Sequence, residues 1–221
     1  MRFLKMFGLA AIGAVAAMAF VGASSAMAAL EPLDAVVLCK LNVDPCPAGE
    51  DFPTGTVLHA ELVSGTKAVL LSSLGTVECS TSTTSGKTTS LLAHGVLESL
   101  KFKNCKVGVT SCTVTEENLN YLVKGELNAA HNGYEALVTS SGSGAPQANV
   151  VCAGVVECKY GDNSVLLAAE PNASDTVLSV LQALGNSSGP LCGLAGPVWH
   201  AKYLTRCLDN AALVGCWLVM E

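Results

Sequence analysis

Thr56-Val57-Leu58-His59-Ala60-Glu61-Leu62-Val63 alternates in character: Leu58, Ala60 and Leu62 fall on one side, and Val57, His59 and Glu61 on the other. Successive side chains leave a strand on opposite faces, so a period of two with one mostly polar side predicts a half-buried β-strand. The same logic places Val77 and Cys79 toward a core between Thr76 and Ser80. Further along, Val96, Leu100 and Phe102 oppose Ser99, Lys101 and Lys103, with Glu98 out of place on the apolar side and the strand ending at Asn104-Cys105. Tyr134, Ala136 and Val138, then Val156, Cys158 and Tyr160, predict two more strands, and Gly, Asn, Ser or Asp bounds each of them.

The punctuation agrees. Ser85-Gly86, Asn132-Gly133, Ser140 to Pro146, Gly161-Asp162-Asn163 and Asn186 to Pro190 favour chain reversal or open loop. Of these, Asn132-Gly133 is the sharpest hairpin signal. Short strands separated by Gly- and Ser-rich turns predict an all-β fold, an antiparallel β-sandwich or barrel. Asn172 to Gly185 reads equally as a strand or as one short helix near 174–185, because Ser174 or Asp175 can cap it and Val177, Leu178, Leu181 and Leu184 recur at helical spacing. The Gly- and Ser-rich run at 140–148 leaves room for a division into two sub-units of structure.

Arg2 and Lys5 precede an apolar run from Met6 to about Val21, and small residues then lead to Ala26-Met27-Ala28. This is the pattern of a cleaved secretory signal peptide over residues 1–28. Residues 29–221 are then a secreted β-rich domain with no integral membrane anchor, found outside the cell or at its surface. Cleavage removes two basic residues and no acidic one, so Lys plus Arg falls from 12 to 10 against 18 Asp plus Glu, a formal charge of −8. Such a balance repels a phosphate backbone and excludes nucleic acid as a partner. Lys101, Lys103 and Lys106 form the one local basic cluster, but the first two alternate with Leu100 and Phe102 as the wet face of a strand does.

All 10 cysteines lie beyond the signal, an even number in an oxidising compartment, so a disulfide framework is expected. Spacing leaves about 945 complete pairings open. Cys39 with Cys46, Cys105 with Cys112, and Cys152 with Cys158 are close in sequence with turn-like residues between them, and local pairing is expected for these three. Partners for Cys79, Cys192, Cys207 and Cys216 stay open. Zinc sites use closer C-x2-C or C-x4-C pairs, which do not occur here, so no metal residue is assigned.

From Val77-Glu78-Cys79-Ser80-Thr81-Ser82, through Gly95 to Cys105, to Cys112-Thr113-Val114-Thr115, the order of features resembles exported proteins of actinobacteria. The resemblance continues through Val150-Val151-Cys152, Cys158-Lys159-Tyr160, Leu191-Cys192-Gly193 and Trp199 to Tyr203, over residues 75 to 205. It implies an all-β fold and carries no functional residues. Cys39, Cys46, Cys207 and Cys216 lie outside it and imply additional bridges.

The remaining motifs point away from catalysis. Gly86-Lys87-Thr88 lacks the first glycine of a phosphate loop, since Thr81 stands there, and a turn is expected instead. Gly142-Ser143-Gly144 lacks the glycine two residues before the serine that a nucleophile elbow requires. Glu50-Asp51 and Glu116-Glu117 are read as solvated loop charges, and Trp199, Tyr203 and Trp217 as core rather than a sugar platform. No catalytic or cofactor-binding residue is assigned. The expectation is a secreted non-catalytic β domain with a binding or structural role, its partner unidentified, with a cell-envelope or extracellular polymer as one class. The alternatives are a secreted hydrolase whose site assembles only in three dimensions around His59, His94, His131 or His200, and a secreted inhibitor presenting the Cys105 to Cys112 loop.

Overall fold

A computed structural model describes residues 35–72, 75–142, 144–154, 156–171, 175–186, 192 and 196–221. Its strands are β1 (Val36–Cys39), β2 (Val57–Leu62), β3 (Ala68–Ser72), β4 (Gly75–Thr88), β5 (His94–Val107), β6 (Thr110–Glu117), β7 (Tyr121–Leu127) and β8 (Tyr134–Thr139). They continue with β9 (Gln147–Cys152), β10 (Val156–Gly161), β11 (Ser164–Pro171), β12 (Thr176–Ala183), β13 (Gly185–Asn186), β14 (Val198–Asp209), β15 (Ala212–Gly215) and β16 (Trp217–Met220). The residues 1–28 read as a signal lie outside the described residues.

The pairings close on themselves. β2, β4, β5, β7, β8, β11, β12 and β14 form an eight-stranded antiparallel ring, shut by the ladder between β4 and β5. The other strands extend the same wall. β2 and β3 lie end to end between β4 and β14, with Glu61 opposite Thr83 and Ala68 opposite Cys79 on one β4 edge. β6 and β7 share the other edge of β5 in the same way. β9 and β8 then follow along β6 and β7, β10 and β11 along β9 and β8, and β13 continues β12. The architecture is one up-and-down meander of eight long strands, five of them broken, a barrel rather than a sandwich. Closure leaves the ring no free strand edge.

The break between β6 and β7 and the irregularity in β5 have local causes. Asn118 and Asn120 have φ of 60° and 72° between β6 and β7, a left-handed conformation that asparagine tolerates better than most residues. In β5 the register slips between Ser85 and Gly86 of β4: Ser85 faces Ser99, Gly86 faces Leu97, and Glu98 is the extra residue of a β-bulge. That bulge accounts for the misplaced charge. It also resets the alternation, so that Leu97 packs on the core with Phe102, in place of the Val96 expected there.

Of three other expectations, two are corrected and one is met. Ser85-Gly86 and Gly86-Lys87-Thr88 lie within β4 instead of turning, because glycine lets the bulged strand approach: a Cβ on Gly86 would sit 2.3 Å from the Val96 carbonyl oxygen. Asn132-Gly133 does mark a hairpin, the one that joins β7 to β8, at the end of a six-residue loop in which the Asn128 amide donates to Gly133 O and the His131 amide to Asn128 O. The segment read as helix or strand is strand β12, since its backbone pairs with both β11 and β14. Val180 is thereby buried and Leu181 exposed, a period of two that the crowd of apolar residues concealed.

The stretch 140–148 falls where β8 passes into β9 along one wall, inside a single compact unit. Inside the wall lies the main core, and β1 with β16 forms a separate two-stranded ribbon across one end. Leu38 and Leu218 of this ribbon pack with Phe52, Ala93 and Leu58. Among the described residues no helix is long and apolar enough to cross a membrane.

Candidate functional site

Five disulfides brace the barrel: Cys39–Cys46, Cys79–Cys105, Cys112–Cys152, Cys158–Cys192 and Cys207–Cys216. The expected local bonds Cys105–Cys112 and Cys152–Cys158 do not form. Cys79, Cys105, Cys112 and Cys152 instead stand in one row across β4, β5, β6 and β9, each the direct cross-strand partner of the next. Hairpin proximity brings Cys105 opposite Cys112, but register also sets Cys79 opposite Cys105 and Cys152 opposite Cys112, and the bonds form in those two pairs. The loop from Cys105 to Cys112 is therefore not closed by a bond between its own ends, contrary to the inhibitor reading.

The outer wall carries charge along its whole height. Near the ribbon end Lys87 pairs with Glu98 at 2.6 Å, Lys124 with Glu126 at 2.7 Å and Lys202 with Glu170 at 3.1 Å. Toward the other end Lys67 meets Glu78 and Lys159 meets Glu117, both at 2.7 Å. A barrel facing lipid presents an apolar band on this side and a polar interior. Here the outer wall carries these ion pairs beside exposed leucines such as Leu122, Leu166 and Leu181, and the lining of the interior is mostly apolar.

The histidines do not converge. His59, His131 and His200 are exposed on β2, in the β7–β8 loop and on β14, while His94 is half-buried at the start of β5. Among the described residues none of their side chains is hydrogen-bonded to a serine or carboxylate, and no cluster of His, Cys, Asp or Glu is suited to a metal. Ser143 lies outside the described residues. Glu116 and Glu117 end β6 instead of lying in a solvated loop: Glu117 is tied to Lys159, and Glu116 is half-buried, its pKa raised by that burial, while Lys101 and Lys103 are exposed on the outer wall. The aromatic residues belong to the core: Tyr203 and Trp217 are buried, and Trp199 meets Phe102 and Tyr203 edge to face at 6.4 and 6.5 Å.

Among the described residues, apolar cavities lie at two levels inside the barrel. The upper, of about 80 Å³, lies among Val77, Phe102, Tyr121, Tyr160 and Trp199. Two hydroxyls that border it are satisfied: the Tyr121 hydroxyl donates to Glu117 O, and Tyr160 donates to Cys192 O at 3.4 Å. Burial raises the Tyr121 hydroxyl pKa, so the group stays neutral. Tyr203 is buried with its hydroxyl 2.9 Å from Ser82 Oγ, and burial again drives its pKa upward, against the pull of the serine.

The lower cavity, of about 120 Å³, lies between the ribbon and the ring, among Leu58, Leu97, Val123, Ala136 and Leu178 beneath Leu38 and Leu218. Two hydroxyls border it from adjacent strands, Thr176 on β12 and its direct cross-strand partner Thr205 on β14. Nothing in the sequence marked this place, because apolar alternation defines an inner face but not where that face fails to fill. No family model matches the chain, and no curated protein or solved structure is similar to it.

Proposed function

We propose that the chain is exported, is cleaved after Ala28, and acts outside the cell as a non-catalytic barrel that holds a small apolar molecule in its interior. The observation behind this reading is the inside-out contrast of the wall: ion pairs face water, while an apolar lumen under a two-stranded cap keeps unfilled space. Eight strands give a lumen wide enough to be filled by side chains or to hold one small ligand. Five disulfides fit an oxidising compartment and support export. The scattered histidines favour binding over the hydrolase reading.

The test is a calorimetric titration of residues 29–221, produced under oxidising conditions, against a panel of small apolar molecules from cyclohexane to naphthalene. Saturable one-to-one binding by members of benzene size is expected. Binding by none of the panel would overturn the reading.

A further inference from the structure

The two cavities differ in one chemical respect. Among the described residues, Thr176 Oγ1 and Thr205 Oγ1 are buried without a hydrogen-bond partner, their residues only 4% and 7% exposed. Other hydroxyls on the same lining are satisfied: Thr84 donates to Ser99 O at 2.8 Å, Thr88 donates to Pro53 O at 2.9 Å, and Ser85 bonds Ser99. Leaving a buried hydroxyl unsatisfied is unfavourable, and two facing each other at one cavity are more unusual than either alone. Directly opposed residues of an antiparallel pair hold their Cβ atoms about 5 Å apart, close enough for two hydroxyls to bond one shared atom.

We infer that the lower cavity is a site for a small uncharged molecule with a hydrocarbon body and a single hydroxyl or carbonyl oxygen, which Thr176 and Thr205 hold between them. Size sets the first limit. An apolar cavity of about 150 Å³ takes benzene, so this smaller one, of about 120 Å³, suits a guest whose hydrocarbon body has at most about six non-hydrogen atoms. Charge sets the second, because an ionised head would be buried without a counter-ion. Lys87, whose residue borders the cavity, is engaged by Glu98 at 2.6 Å on the outer wall. Leu58, Leu97 and Leu178 surround the body of the guest, and Leu38 and Leu218 of the β1–β16 ribbon cover it.

The inference rests on the barrel reading and is separable from it by comparing phenol with benzene, which differ by one oxygen. Titrated into the intact mature protein, phenol is expected to bind about tenfold more tightly, the worth of one added hydrogen bond. The double variant T176V/T205V keeps the side-chain shape and should bring phenol down to the affinity of benzene, while benzene binding is kept. T176S/T205S keeps both hydroxyls and should retain the preference for phenol. A136L should fill the cavity and abolish both. Equal binding of phenol and benzene by parent and T176V/T205V would overturn the threonine anchor and leave the barrel reading standing. So would a crystal structure showing one water bridging both hydroxyls with phenol no better than benzene. Failure of both probes, with larger apolar molecules still binding, would overturn this site alone; failure of every apolar probe would overturn both readings.

Discussion

Cys105 stands directly opposite Cys112 in the ladder between β5 and β6, yet each is bonded to the cysteine on its other side, Cys105 to Cys79 and Cys112 to Cys152. Four sulfur-bearing residues in one row can all bond a nearest neighbour in only one way, since a Cys105–Cys112 bond would leave Cys79 and Cys152 at opposite ends of the row. The scheme adopted ties β4 to β5 and β6 to β9. It spans separations of 26 and 40 residues where a hairpin clip would span 7, and so removes more freedom from the unfolded chain.

Peptide mapping without reduction should therefore recover Cys79 joined to Cys105 and Cys112 joined to Cys152. A peptide linking Cys105 to Cys112 would contradict the strand register.

The bridges should also differ in weight. Loop-closure entropy assigns about 4 kcal/mol to Cys158–Cys192, which closes 34 residues, and about 2 kcal/mol to Cys39–Cys46, which closes 7. Denaturant unfolding of C158A/C192A and C39A/C46A should give losses in that order, and a reversed order would count against the entropic account.

Gly125 in β7 faces the ribbon at close range. A Cβ there would lie 2.7 Å from both Ala93 Cβ and Leu218 Cδ2, so G125A should displace β16 and cost about 1–3 kcal/mol. Hydrogen exchange should quicken in β1 and β16 before it does in β4 or β14. Unchanged protection in the ribbon would show that it does not pack against the ring as described.

Tyr203 should make the barrel sensitive to alkali. Burial raises its pKa above the ordinary 10.0, with Glu116 adding to the rise and the Ser82 hydrogen bond opposing it. The unfolded chain then loses this proton first. Stability from the buried neutral hydroxyl is whole below pH 10 and falls as pH climbs from there toward the folded-state value. Tyr134, raised to about 12 by burial and by Asp44, acts in the same direction. Y203F should lower stability at neutral pH by about 1–2 kcal/mol, since it strands the Ser82 hydroxyl, and should flatten the fall in melting temperature above pH 10. An equally steep fall in Y203F would assign the alkaline transition to other groups.

Alternation made the strands legible in the sequence wherever one face stayed dry, as at Leu58, Ala60 and Leu62 or at Cys158 and Tyr160. It faltered at Glu98, because a bulge adds a residue without changing composition, and at Val177 to Leu184, because outward-facing apolar residues such as Leu181 mimic a helical stripe. The row of four cysteines was invisible for a related reason: cross-strand neighbours depend on register, which local spacing does not encode. Thr176 and Thr205 are 29 positions apart with no motif between them, and only the β12–β14 ladder brings them together.

Binding of an apolar guest requires unfilled apolar space between the ring and the β1–β16 ribbon. Diffraction from crystals of the mature protein under xenon pressure tests for it most directly, since xenon enters apolar cavities of this order of size. A xenon peak is predicted between Leu97, Ala136 and Leu178, beneath Leu218. Side chains occupying that volume, with no peak inside the barrel, would contradict the account.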